Sequence, residues 1–153
     1  MLTSPLANLV AFVLCIAGCV LAFAKGGASE RIGAGVILAN LVVATANYSS
    51  FGNQIADLCI DGLTATALLV LAIRYAAPWL GAAMLIFAVQ FGLDAFYFVL
   101  ERRPDHFHDL VNNADTLGVS ICLAAGAILA WRRRTRAQAP AAPLAADGAE
   151  AAP

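Results

Sequence analysis

The sequence predicts an all-α fold: a polytopic transmembrane helical bundle of five spans, with the N-terminus out and the C-terminus in. Three observations predict it. Of 153 residues, 61% are hydrophobic and 12% charged, against about 25% charged in soluble domains. The apolar residues fall into five stretches, each near the ~20 residues a helix needs to cross a bilayer. The basic residues divide unevenly between the two sets of connections, and that division sets orientation.

The stretches are residues 6–24, 31–49, 56–75, 78–100 and 110–131. Pro5 stands at the start of the first and Pro78 at the start of the fourth, where a missing N–H costs nothing. Gly26-Gly27 separates the first two, and Ser49-Ser50-Phe51-Gly52-Asn53 forms the next turn. The third stretch carries Asp57 and Asp61; without it the count is four. Glu101 to Asp109, with Pro104, leads into the fifth. With five spans, Lys25, Arg31, Arg74, Arg132, Arg133, Arg134 and Arg136 share one side, and Arg102 and Arg103 the other. The first side faces the cytoplasm, with Trp79 and Trp131 expected at the inner interface. Ala22-Phe23-Ala24 has the form of a signal-peptidase site, but Met1 to Pro5 carries no basic side chain and the preceding apolar run is too long for a leader. Residues 1–134 are therefore read as one bundle, and the Ala- and Pro-rich residues 135–153 as a disordered cytoplasmic tail.

Buried polarity is concentrated near the outer ends of the spans. Asn53, Asp57 and Asp61 are spaced by four on one helix face, and Gln90, Asp94, Tyr97 and Glu101 by four, three and four on another. With a rise of 1.5 Å per residue, Asp61 lies ~12 Å along the helix from Asn53, and Asp94 ~10 Å from Glu101. The two aspartates are thus expected at similar depth. Asp109, Asn112, Asn113 and Thr116 form a third stripe, with Asp115 off it, and Asn47 and Asn40 lie on the second span. A carboxylate facing lipid is costly, so such groups turn to the bundle interior or to a wet cavity. The expected ligand-binding set is Asp57, Asp61, Gln90, Asp94, Tyr97, Glu101 and Asn112, around an acidic cavity open to the non-cytoplasmic side. An interfacial helix start or cap is the plain alternative for Asn53, Asp57, Glu101 and Asp109.

Two loop histidines, His106 and His108, flanked by Asp105 and Asp109, supply the residue types that hold zinc or copper. Cys15 and Cys19 are four apart on one helix, and with Cys59 and Cys122 they form no CxxC pair; buried cysteines of this kind act as small hydrophobes. Gly118, Cys122 and Gly126 recur every four residues, which favours close helix approach within the chain or in a homo-oligomer. No basic patch with interleaved aromatics is present, so nucleic acid is not an expected partner. The expected partners are the lipid bilayer and a second copy or another membrane protein. No cofactor is named by any motif.

The run Asn53-Gln54-Ile55-Ala56-Asp57-Leu58-Cys59-Ile60-Asp61 is similar to the first aspartate-rich motif of intramembrane prenyltransferases, with Gln54 in place of an Asp, and Asp105 to Asp109 supplies a second pair of spaced aspartates. That resemblance implies magnesium held by Asp57, Asp61, Asp105 and Asp109, and an isoprenoid diphosphate substrate. It covers about a dozen residues; members of that family are about twice as long, with the motifs facing the cytoplasm. Residues 53–134 as a whole, through Asp61-Gly62-Leu63-Thr64, Arg74-Tyr75, Pro78-Trp79-Leu80, Gln90-Phe91 and Trp131-Arg132-Arg133-Arg134, resemble small uncharacterised multi-span proteins of bacterial inner membranes. This second resemblance implies a location. The function expected from the residues is binding of a small polar ligand or cation by a non-enzymatic membrane component, with a lipid-diphosphate enzyme and a structural subunit as alternatives.

Overall fold

The computed structural model describes residues 5–102 and 105–138, with side chains from residue 9 onward. They form five helices: α1 Pro5–Lys25, α2 Ala28–Ser50, α3 Gln54–Tyr75, α4 Pro78–Val99 and α5 His106–Gln138. No strand occurs among the described residues. Helices α2 to α5 are each long and apolar enough to cross a membrane, and Leu9–Lys25 forms a shorter apolar segment. Helix α5 differs most from expectation. Its 33 residues begin before residue 110 and include Thr135 to Gln138, four residues assigned above to the tail. The rest of that tail, 139–153, lies outside the described residues.

Each turn has a local cause. Gly26 ends α1 by donating its N–H to Ala22 O at 2.8 Å, and a Cβ there would stand 2.2 Å from that same oxygen. Gly27 then donates its N–H to the Glu30 carboxylate at 2.8 Å, closing the start of α2. Gly52, at φ +56, donates to Asn47 O, a left-handed position that costs glycine least. Asn53 accepts the Ile55 N–H at 3.0 Å and caps α3. Pro78 fills the first turn of α4. Asp105 rather than Asp109 caps α5, accepting the N–H groups of Phe107 and His108 at 3.0 and 3.2 Å.

Each helix contacts its sequence neighbours, and α1 returns to pack on α5. The five therefore close a ring, with α2 also touching α5 across it. Short connections make consecutive helices antiparallel, so two kinds of end result. The half nearer Lys25 holds the dry core: Leu68, Leu80 and Leu123 are fully buried, with Ala22, Ala34, Ala83 and Ala127 between them. Outward-facing positions are large and apolar, including Val20, Val42, Leu63, Ile73, Leu85, Val89 and Ile121. A bundle whose small residues face inward and whose large apolar residues face outward is built for lipid as solvent.

Trp79 wedges this half together. It is turned into the bundle and only 9% exposed, whereas Trp131 is 46% exposed. Its ring lies on Gly33 of α2 and Gly126 of α5, and its indole N–H donates to the buried Glu30 carboxylate at 3.2 Å. The small-residue positions of α5 are thus occupied within the chain: Gly126 by Trp79, and Gly118 by Ile86 of α4.

A Cβ on Gly126 would stand 2.7 Å from Trp79 Cδ1, and one on Gly33 2.5 Å from Trp79 Cη2. Gly126→Ala and Gly33→Ala are therefore expected to lower stability by about 1–3 kcal/mol, the usual cost of overpacking. Gly18→Ala, whose Cβ would meet Ser120 O at an ordinary 3.5 Å, is the near-neutral control. Thermal unfolding in a mild detergent reads all three.

Candidate functional site

The other half of the bundle is polar inside. The last turns of α2 and α4 and the first turns of α3 and α5 lie at this end, so each contributes side chains at comparable depth. The deeper layer centres on two carboxyls. Asp61 of α3 and Asp94 of α4 lie within hydrogen-bonding reach of each other. Asn40 of α2 uses its amide N–H groups on Asp61 Oδ1 at 3.1 Å and on Thr64 Oγ1 at 3.0 Å. Gln90, one turn before Asp94, spans both Asp94 oxygens at 3.3 and 3.4 Å. His108 of α5 places Nε2 2.6 Å from Asp94 Oδ1, with the two side chains only 17% and 11% exposed. A carboxylate opposite requires that nitrogen to carry the hydrogen. Four helices are joined here through two aspartates.

The outer layer is a rim of separate contacts. Asn47 donates to Asp57 Oδ1 at 2.6 Å and to Asn53 O at 3.0 Å. Tyr97 donates its hydroxyl to Asp105 Oδ1 at 2.6 Å, and Arg102 reaches Asp105 Oδ2 at 3.4 Å. The Tyr97 ring meets His108 edge-on, with centroids 5.2 Å apart. Asp105 therefore fixes the first turn of α5 and Tyr97 together, which holds His108 over Asp94. The Tyr97 hydroxyl first, and then the His108 backbone N–H, hold the Asp105 carboxyl below the usual carboxylate range.

Of the residues expected from sequence, Asp61, Gln90 and Asp94 meet in the deeper layer. Asp57 and Tyr97 belong to the rim. Glu101 is exposed in a left-handed turn at φ +51, and Asn112 is exposed on α5. The inward position on that turn of α5 belongs to Asp115, placed above off the polar stripe. Its Oδ2 is buried without a partner, as is Gln90 Oε1. The pattern that reveals this face is apolar. Stepping back from Cys122 by four, three, four and three reaches Gly118, Asp115, Val111 and His108, all half-buried. Asn40 and Thr64 complete the set.

The candidate metal ligands are not gathered. His106 and Asp109 are exposed, His108 turns to Asp94, and Asp105 is used by Tyr97 and the helix cap. Among the described residues, no three His, Cys, Asp or Glu side chains are grouped to hold a metal ion. The same holds for the magnesium set implied by the prenyltransferase resemblance. The deeper carboxyls touch their partners directly. Two grooves on the bundle surface are apolar and lie elsewhere, one between α1 and α2 lined by Phe12, Ile16, Leu38 and Leu41, the other along α2 and α3 by Ile32, Leu63 and Val70. Comparison with protein-family models, with curated proteins and with solved structures found no match for this chain.

Asn40→Ala removes both amide contacts and leaves Asp61 short of a donor, which is expected to cost about 1–3 kcal/mol, read by unfolding in detergent. Acid tests the rim. A lowered carboxylate pKa adds stability above the ordinary value of about 3.9 and loses it as pH falls through the lowered one. The Asp105 contacts should thus persist to the acid side of that value. In Tyr97→Phe they should be lost at higher pH, as followed by the NMR shifts of the Phe107 and His108 amides.

Proposed function

We propose that this chain crosses a bacterial inner membrane five times, N-terminus outside and C-terminus in the cytoplasm. Its acidic cluster is a binding site for a small cation, reached from the non-cytoplasmic side, and the cation is the proton. The protein acts as a proton-responsive membrane component without chemistry of its own. The placement of basic residues supports the orientation: seven at the Lys25 end against Arg102 and Arg103 at the other.

The observation that carries this reading is the meeting of Asp61, Asp94 and His108 from three helices, with Asn40 from a fourth. Two carboxylates side by side away from water repel each other, and a proton or cation between them relieves that repulsion. Their direct contact favours the smallest occupant. His108, between Asp94 and the rim, is the titratable side chain best placed to connect the pair with outside water.

The test is proton uptake by the purified protein in lipid nanodiscs, followed with a pH-indicator dye during stepwise acidification. Wild type is expected to show a step that Asp61→Asn and Asp94→Asn each abolish. Identical uptake by all three proteins would contradict the proposal.

A further inference from the structure

The deeper layer has more acceptors than donors. The Asn40 amide N–H groups serve Asp61 and Thr64, those of Gln90 serve Asp94, and the Thr64 hydroxyl is given to Ile60 O. The His108 ring serves Asp94. Two buried oxygens are left with nothing to accept: Gln90 Oε1 and Asp115 Oδ2. Gln90 is only 6% exposed, and its other amide atom is already on Asp94. Asp115 lies one turn from Gly118, which packs on Ile86, and Gln90 lies one turn from Ile86 on the antiparallel α4; with His108 against Asp94, this register sets Asp115 at the level of Gln90. Both orphaned atoms therefore belong to one level of the α4–α5 seam, and both lack the same thing, a hydrogen.

A buried amide oxygen without a donor is rare in folded proteins, and each such atom calls for an explanation. The amide N–H groups of Asn40 and Gln90, the Thr64 hydroxyl and His108 Nε2 are all engaged elsewhere. From α4 the charged group acting on Asp115 is Asp94, itself engaged by Asp61 of α3 and His108 of α5. Helix α1, which packs along α5, carries no charged side chain between Leu9 and Ala24, its titratable groups there being the buried thiols of Cys15 and Cys19; α2 carries none between Ile32 and Ser50 apart from the exposed Tyr48 hydroxyl. A single hydrogen on Asp115 turns one orphaned acceptor into a donor and provides for the other.

We propose that Asp115 is a further proton-binding residue of this site, holding its proton on Oδ2 and donating it to the Gln90 carbonyl oxygen. The proton comes from a buffer acid in the outside water, which departs as its conjugate base. No bond other than O–H forms or breaks. The site then binds protons at two places, the Asp61–Asp94 pair and Asp115, with Gln90 as the positioning residue between them: its N–H groups fix Asp94 and its carbonyl receives Asp115. This deepens the proton-site reading and rests on it for function.

Infrared difference spectroscopy of the protein in lipid, through the protonated-carboxyl C=O stretch on a pH step, is the test. Wild type should show a band that Asp115→Asn removes. The asparagine has the same shape and carries a permanent N–H donor, so this variant should fold as well as wild type. Asp115→Glu should retain the band at a shifted position, and Gln90→Leu should shift it by removing the acceptor. A spectrum unchanged in Asp115→Asn overturns the proposal. Loss of the dye-measured step in Asp61→Asn and Asp94→Asn together with an unchanged Asp115→Asn spectrum sinks only this inference. A band lost in Asp115→Asn, with proton uptake unaltered by Asp61→Asn and Asp94→Asn, leaves Asp115 assigned and refutes the paired site.

Discussion

A carboxyl group carried into hydrocarbon must find another polar group or lose several kcal/mol, and in this chain that constraint falls on Asp94. It sits five residues inside the end of α4, about one and a half turns. Its partners come from three directions: Gln90 from its own helix, Asp61 from α3, and His108 from α5. Each contact fixes the rotation of the helix that supplies it. Asn40 extends the chain of contacts to α2 through Asp61. Rotating any of these four helices by a fraction of a turn would carry a polar side chain toward lipid.

The remaining half of the bundle is held by a different principle. There the helices approach through Ala and Gly, and one large ring, Trp79, fills the space left by Gly33 and Gly126. Glu30 is the polar group of this half, and it is consumed by the Gly27 N–H, the Ser29 hydroxyl and the Trp79 indole. The fully buried leucines 68, 80 and 123 form the dry layer of this half. On the proposed reading, this dry layer separates the proton-binding cluster from the basic end and makes exchange one-sided.

Much of this was legible in the sequence, because lipid imposes simple rules. Long apolar runs marked the helices, and glycine and proline marked the turns. The rise per residue alone puts Asp61 and Asp94 at one depth. What escaped was governed by packing rather than polarity. On α5, the stripe of Asp109, Asn112, Asn113 and Thr116 has the more obvious polar pattern, yet the inward face follows Cys122 and Gly118 back to Asp115 and His108. Asp105 replaced Asp109 as the cap because the helix begins earlier than its apolar stretch. Trp79 read as an interfacial anchor because its partner, Glu30, lies 49 positions away in sequence. Pairings at such distance depend on the rotation of two helices, which the local pattern of either one leaves open.

The convergence of α3 and α4 at the carboxyl pair is tested most directly by cross-linking in native membranes. In a chain with its four cysteines replaced by alanine, Asp61→Cys paired with Asp94→Cys should form a disulfide rapidly under mild oxidation. Leu63→Cys, at a position 72% exposed toward lipid, should not cross-link to Asp94→Cys. If the Leu63 pair reacts as readily as the Asp61 pair, or in its place, α3 is turned the other way and the shared acidic cluster does not exist.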